Sequence, residues 1–366
     1  MEPRINNVAH EDNKLTFTLS NVDLSVVNAF RRTLLSDIPI VVFRTFPYEE
    51  NLANVEINTS RLNNEIIKHR LSCVPIYIND LQFPVKDYEI EIDVKNDTDE
   101  IIYVTTKDIK VKNKTNEKYI LESEKIKMFP PDLITGEYID LVRLRPKTTY
   151  EGEGEHLKLN CGFSIGNAGE NSMFNVVTTC SFGNTPDKIK LNELWNEREK
   201  ELNDIDPTKT ESYKKDFDII EGQRNYIKNS YDFIVETNGI YSNNELITLA
   251  SSIINKKIDT LLNNLVNKNI IIPVTDAMPN SFEIKLENED YTVGKLLENQ
   301  LYSSYFENEK IFNYISFKKY HPHDDDSFIK ISMVTIDDPR VISRYVTTAC
   351  ENIKKKIAFV SKLITT

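Results

Sequence analysis

Between Asn21 and Arg44 the chain reads NVDLSVVNAFRRTLLSDIPIVVFR, and the period of its apolar positions changes midway. Leu24, Val27, Phe30 and Leu34 recur at helical spacing and predict an amphipathic helix over 22–36. Asn28, Arg31, Arg32 and Asp37 flank that stripe. Ser20 or Asn21 offers an N-cap oxygen, and Pro39 ends the helix. Beyond it Ile38, Ile40, Val41, Val42 and Phe43 make a β-branched apolar run, which predicts a strand. Upstream, Ile5, Val8, Leu15, Phe17 and Leu19 alternate with polar residues, giving a strand pair that turns near Glu11-Asp12-Asn13.

From 45 to 155 the texture changes to short strands and charged turns. Tyr88–Val94 and Ile102–Thr106 alternate cleanly, while Pro130-Pro131 and the acidic Glu151–Glu155 run interrupt. This predicts a β-rich inserted domain. Strand character returns at 156–166 and 174–182. A charged, Pro-punctuated stretch over 184–215 holds Trp195 among polar neighbours and reads as a helical or irregular excursion. Tyr231–Thr237 predicts a strand ending at the turn Asn238-Gly239. Ser242 and Glu245 form a capping box for a helix over 242–265, with Leu246, Leu249, Ile253, Lys257 and Leu261 stepping round it. Residues 268–280, with Pro273 and Pro279, read as a connector. The pattern then restarts: a strand at 282–286, a helix at 291–301, strands at 315–322 and 328–334, and a final helix over 339–363. Asp338 caps that helix, and Ile342, Tyr345, Val346, Ala349, Ile353, Ile357 and Val360 line one side.

At 366 residues the chain exceeds one comfortable core, so two or three domains are expected. A net charge of −12 argues against a direct grip on phosphate backbones, which needs a basic face. Cys73, Cys161, Cys180 and Cys350 are far apart and form no Cys-x-x-Cys, so a zinc ribbon is not expected and reduced thiols are. No apolar run approaches membrane-spanning length, and the N-terminus lacks a signal-peptide core; an intracellular, soluble chain is expected.

Two linked motifs carry a family resemblance. Asn28-Ala29-Phe30-Arg31-Arg32-Thr33-Leu34-Leu35 followed by Asp37-Ile38-Pro39, and Glu65-Ile66-Ile67 with His69-Arg70-Leu71 and Val74-Pro75, resemble the signature of alpha-like subunits of multisubunit DNA-dependent RNA polymerases. These are the bacterial alpha subunit, the archaeal D subunit and the third-largest subunit of polymerase II. Ser72 stands where that family usually has Gly, and Cys73 where an aliphatic is usual. Farther on, Glu289-Asp290, Thr292-Val293-Gly294-Lys295-Leu296-Leu297, Gln300-Leu301 and Tyr320-His321-Pro322 resemble the small alpha-like partner, archaeal subunit L or the eleventh subunit of polymerase II. Lys295 replaces the common Asn there.

The resemblance implies a natural fusion of the two alpha-like subunits, similar to that in large DNA viruses. It implies an α+β fold: two alpha-like dimerisation domains, each an antiparallel sheet plus long helices, packed as an intramolecular heterodimer. The implied boundaries are 1–44 and 156–267 for the first domain, 45–155 for the insertion, 268–280 for the connector and 281–366 for the second. It also implies a noncatalytic assembly platform. Asn28, Phe30, Arg31, Arg32, Leu34, Leu35, Asp37, Pro39, Glu65, His69, Arg70, Pro75, Leu249, Ile253, Thr292, Gly294, Leu297, Gln300, Leu301, His321, Pro322, Tyr345, Ala349 and Ile353 would form subunit interfaces. The partners would be the two largest polymerase subunits and a small zinc-ribbon-type subunit, with DNA and RNA met only through the complex and no homodimer. Magnesium would belong to the large partners, with no cofactor here. A viral member would sit in host cytoplasm and virion, a cellular one in the nucleus.

Competing chemistry is thin. His321-Pro322-His323-Asp324-Asp325-Asp326 is rich in ligand atoms, but consecutive ligands on a loop rarely converge on one ion, so a solvated turn is expected. Gly162, Gly166 and Gly169 lack the Gly-Lys-Ser/Thr ending of a phosphate loop. Two alternatives stay open: a thiol hydrolase using Cys73 or Cys161, and a two-domain adaptor unrelated to polymerase.

Overall fold

The computed structural model describes residues 2–147, 152–205, 209–274, 278–335 and 338–365. In chain order come β1 (Arg4–Glu11), β2 (Lys14–Ser20), α1 (Leu24–Ser36), β3 (Ile40–Val42), β4 (Ala53–Asn58) and α2 (Asn64–Ser72). Next are β5 (Tyr88–Lys95), β6 (Ile102–Thr105), β7 (Lys110–Asn113), α3 (Glu122–Met128), β8 (Asp140–Leu144), β9 (His156–Gly162) and β10 (Ser164–Gly166). β11 (Val177–Pro186), α4 (Lys188–Ile205), α5 (Thr210–Ile219), β12 (Tyr226–Thr237) and α6 (Asn243–Asn267) follow. β13 (Ile271–Val274), β14 (Ser281–Leu286), α7 (Tyr291–Leu301), β15 (Phe312–Lys318), β16 (Ser327–Met333) and α8 (Pro339–Thr365) complete the set, with a π-helical turn over Tyr302–Asn308. The architecture is mixed α and β with antiparallel sheets.

The chain divides into two units. One comprises Met1–Leu34, Val177–Glu236 and Asn243–Thr366; the other Leu35–Val176 and Thr237–Ser242. In the first, strands run in the order β1-β2-β12-β11, with Phe17 opposite Phe233 and their rings stacked at 4.9 Å. That cross-strand aromatic pair pins the register, because a one-residue slip of either strand would put the two rings on opposite faces. A second sheet, β13-β14-β16-β15, is antiparallel throughout. α6 buries Leu246, Ile247, Ala250, Ile254, Ile258 and Leu261, and packs against α8, which buries Ile342, Val346, Ala349, Cys350, Ile353, Ile357 and Val360. Each such large side chain contributes about 1.5–3 kcal/mol when fully buried, so these two stripes dominate the helix pairing.

In the second unit the sheet order is β4-β9-β5-β7, flanked by the two-stranded ribbons β10-β3 and β6-β8. Phe43, Phe129, Phe163, Ile90, Ile92, Leu157 and Leu159 lie in its core. β9 sits between β4 and β5, so residues 156–162 go with this sheet and not with the strands preceding α1. β3 pairs with β10, which likewise draws residues 40–42 into this unit. The unit boundaries therefore fall at 34/35 and 176/177, where sequence texture placed them at 44 and 156.

Several local expectations change. Leu24 is 54% exposed; the buried face of α1 is Val26, Val27, Ala29, Phe30, Thr33 and Leu34. Neither Ser20 nor Asn21 caps that helix. Ser20 ends β2 with its hydroxyl on Ser230, and Asn21 takes the left-handed φ of 61° that lets the chain turn. The Asp23 carboxylate accepts from the Val26 amide instead. The β-rich stretch carries two short helices, α2 and α3, whose few apolar positions give little periodic signal. The 268–280 connector contains β13, paired residue for residue with β14 from Ile271↔Ile284 to Val274↔Ser281; its residues 275–277 lie outside the described ones, as does Glu151 of the acidic run. The 184–215 excursion is helical at α4 and α5, apart from 206–208 outside the described residues, and Trp195 is buried beside Phe217 at 5.5 Å.

Candidate functional site

The residues singled out by motif fall into an inward set and an outward set. On α1, Phe30 and Leu34 are buried, while Asn28, Arg31, Arg32 and Leu35 are half-buried. Arg31 directs Nε and Nη2 at the Asn28 Oδ1, 3.0 and 2.9 Å away, one helical turn back. Arg32 does something else. Its Nε donates to Thr292 Oγ1 at 2.9 Å and its guanidinium pairs with Asp290, at the start of α7. Asp290 also caps α7 by accepting from the Thr292 amide at 2.8 Å. Burial opposes ionisation of that carboxyl, but the Thr292 amide, Arg32, the Thr292 hydroxyl and Lys257 outweigh it and hold the pKa below the ordinary value.

A reciprocal arrangement sits at α1. Its capping Asp23 faces Lys356 of α8 at 3.6 Å. Thus the N-terminus of a helix from the early part of the chain is paired with a cation from the late part, and the N-terminus of α7 with a cation from the early part. Lys354 to Asp259 at 2.6 Å joins α8 to α6, and Lys257 to Glu289 at 3.8 Å joins α6 to the lead-in of α7. These pairs are partly solvated, so each is worth about 0–1 kcal/mol; they orient helices whose association comes from apolar burial. Asp290 was legible as an N-cap ahead of an apolar run, but nothing in the linear sequence points to Arg32 as its partner.

Thr292, Gly294, Leu297, Gln300 and Leu301 are all buried. A Cβ on Gly294 would lie 2.0 Å from the Phe317 ring, so α7 approaches β15 as closely as only glycine permits. Tyr345 is half-buried between Tyr305 and Phe312; Ala349 and Ile353 are buried, whereas Leu249 and Ile253 on α6 are half-buried.

In the second unit, Asp37 accepts from the Ser36 hydroxyl at 2.7 Å, and the Pro39 carbonyl accepts from the Tyr241 hydroxyl at 3.0 Å. α2 begins with Asn63 accepting from the Ile66 amide and turns Ile67 and Leu71 inward. Glu65, Ile66, His69 and Arg70 are exposed, and Pro75 is half-buried. Arg70 reaches the Asp140 carbonyl at 2.9 Å. Ser72 is buried, its hydroxyl meeting the Lys68 carbonyl and Thr45 Oγ1, which explains how serine is accommodated where the family favours glycine.

The thiols lack a nucleophile's setting. Burial pushes Cys161, Cys180 and Cys350 up to about 12, and partial burial also raises Cys73. The His-Asp run is a turn: the His321 amide donates to Asp324, and Asp326 is held by Lys285 at 2.8 Å and the Asn288 amide at 3.0 Å. His321 and Pro322 are exposed. Among the described residues no group of three or more His, Cys, Asp or Glu is placed to hold a metal ion, and no helix is long and apolar enough to cross a membrane.

Antiparallel sheets bearing long amphipathic helices that pair face to face are the architecture of an alpha-like dimerisation domain. A family model described as the RNA polymerase Rpb3/Rpb11 dimerisation domain matches residues 16–258, and the chain belongs to that family. Subunit 3 of DNA-directed RNA polymerases II, IV and V from Arabidopsis thaliana is 24% identical over 306 residues, covering 71% of this chain and 90% of the relative. DNA-directed RNA polymerase subunit Rpo3 from Pyrococcus furiosus is 26% identical over 275 residues, covering 70% and 94%. Subunit RPAC1 of DNA-directed RNA polymerases I and III from Homo sapiens is 26% identical over 218 residues, covering 54% and 59%. Residues 259–366 lie beyond the family match.

Proposed function

We propose that the chain is a noncatalytic assembly subunit of a DNA-dependent RNA polymerase, with two alpha-like halves joined in one polypeptide and paired as an intramolecular heterodimer, and with an inserted β-rich domain. The observation that carries this reading is the packing of α8 on α6, joined by the Lys354–Asp259 pair, with Arg32–Asp290 and Lys356–Asp23 tying α1 to α7 and α8, within a chain of the Rpb3/Rpb11 family. Fusion makes that pairing intramolecular, which supplies an effective concentration of order millimolar and fixes equal stoichiometry. The paired halves then present α2 and the neighbouring surface to the two largest subunits and a small zinc-ribbon-type subunit. Nucleotide chemistry and its magnesium belong to those partners; nucleic acid is met only through them. No metal is needed by this chain, and no homodimer forms. The fused arrangement fits a large DNA virus, with the protein in host cytoplasm and virion.

The test is a cut between α6 and β13, at Lys268-Asn269, because β13 pairs with β14 and belongs with the later half. The two fragments are expected to co-elute on size exclusion as one species and, co-expressed, to retain two very large subunits in stoichiometric amount. Two stable, non-associating monomers would refute the intramolecular heterodimer. Normal fragment pairing without large partners would refute the polymerase role alone.

A further inference from the structure

Leu133 and Ile134 are 99% and 94% exposed, side by side at the tip of a turn in the second unit. The turn is not loose. The Asp132 amide donates to the Glu137 carbonyl and the Gly136 amide to the Asp132 carbonyl, both at 2.8 Å. Asp132 Oδ1 accepts from the Ile134 amide, the Thr135 amide and the Thr135 hydroxyl at 2.8–3.0 Å. Gly136 closes the turn at φ 72°, a conformation that an L side chain rarely adopts. The outgoing limb is fixed as well: the Thr106 amide donates to the Ile139 carbonyl, the Ile139 amide donates to the Thr106 hydroxyl, and Arg70 of α2 binds the Asp140 carbonyl. Two aliphatic side chains are thus held out into solvent by a preorganised frame whose ordering entropy is already spent.

The surroundings give the occupant its chemistry. From Phe129 to Asp140 the sequence FPPDLITGEYID holds three carboxylates and no lysine or arginine. The backbone amides of Thr135 and Ile134 hold the Asp132 carboxyl below the usual range, so Asp132 and Glu137, which bracket the tip, are anionic at neutral pH, with the cation of Arg70 at the Asp140 carbonyl farther down the limb. Neither a phosphate backbone nor an anionic lipid surface matches an acidic rim. A protein socket does, provided it is aliphatic at its base and basic at its edge.

We propose that the turn Asp132–Glu137 is a docking knob, its Leu133-Ile134 tip taken up by an aliphatic socket bordered by lysine or arginine on a partner protein. The inference does not need the polymerase reading, because the partner is identified whichever complex holds the chain.

The experiment places a photoreactive phenylalanine at Ile134 of the full chain in its native complex and maps crosslinked peptides by mass spectrometry. The expected product is a peptide of another protein combining aliphatic residues with lysine or arginine. Retention of that protein should fall about tenfold or more in a Leu133→Ser, Ile134→Ser chain. Glu137→Lys, whose carboxylate is not part of the turn's bonding, should weaken retention severalfold and reduce its salt dependence. Crosslinks confined to this chain, a crosslinked peptide without basic residues, or unchanged retention in the double-serine chain would overturn the proposal. So would flotation of the wild-type chain with vesicles of three parts phosphatidylcholine to one part phosphatidylserine.

Discussion

α2 lies within the family match and α7 beyond it, and each within its own unit they differ in what they bury. α7 turns Thr292, Gly294, Leu297, Gln300 and Leu301 into the protein, while α2 leaves Glu65, Ile66, His69 and Arg70 in solvent and buries only Ile67, Leu71 and Ser72. A short helix can therefore carry two kinds of information. In α7 those side chains are part of this chain's own core. In α2 the outward side chains stay exposed within their unit, Arg70 reaching only the Asp140 carbonyl. Arg31 and Arg32 repeat the lesson at adjacent positions: Arg31 binds its own helix, and Arg32 reaches across to α7.

The largest effect should come from breaking the inward motif. Gly294→Ala places a Cβ where the Phe317 ring lies 2.0 Å away, and Phe317 is itself confined by Tyr291 at 4.9 Å and by Lys295 over its face. Overpacking of this kind costs about 1–3 kcal/mol. Urea unfolding should show that loss, and Gly294→Val should exceed it. Adding Phe317→Leu to Gly294→Ala should recover part of the loss, since removing the ring removes the clash. An unchanged midpoint for Gly294→Val would mean that α7 does not sit on β15 as described.

The next effect is electrostatic. Arg32→Glu sets a carboxylate against Asp290 and should destabilise by about 1–2 kcal/mol, the partly solvated setting limiting the cost. Asp290→Asn is milder, about 0.5–1 kcal/mol, because asparagine can still cap α7 while the ion pair is lost. The pH dependence follows from the lowered pKa of Asp290. Its contribution is present above the unfolded carboxylate value of about 3.9 and disappears as pH falls through the lower folded value. Thermal melts should therefore separate wild type from Asp290→Asn at pH 6 and bring them together as pH falls through the lowered folded value. A gap that widens on acidification would reverse the sign and remove Asp290 from the pairing.

The sequence made the long helices readable because their burial is one-sided. α8 alternates on a 3.6-residue period, and six of the seven residues read as its inner face are buried, the exception being the half-buried Tyr345. Strand pairing across distance was less readable. Nothing local in His156–Gly162 says that it will lie between β4 and β5. Short helices were missed for a related reason: α3 has seven residues, too few for a period to emerge. In the candidate site, the residue types were legible and their direction was not. Whether a motif arginine points to another subunit or to a later part of the same chain depends on a contact spanning 258 residues, Arg32 to Asp290.

The smallest perturbation sharpens the inward–outward contrast most directly, because each side carries a cysteine. Cys73 caps the C-terminus of α2 and is exposed; Cys350 lies on the buried face of α8. Thiol reagents attack the thiolate, so both access and pKa matter. Burial pushes Cys350 from 9.0 to about 12, which alone lowers its thiolate fraction at pH 8 by roughly a thousandfold relative to an unshifted thiol. Cys161 and Cys180 are buried and shifted to about the same value. Cys73 is raised less far and is open to reagent. Native protein should therefore show one rapidly labelled thiol in four, mapped by peptide analysis to Cys73, with the remaining three released only by denaturant. Labelling should shift the unfolding free energy by no more than about 0.5 kcal/mol, as expected of an exposed helix end. Two fast thiols, the second at Cys350, would place in solvent the buried face of α8, the helix that α7 contacts, and so weaken the description of α7 as inward. Protection of Cys73 in the isolated chain would show that α2 is already covered, and that its outward residues are not waiting for a partner.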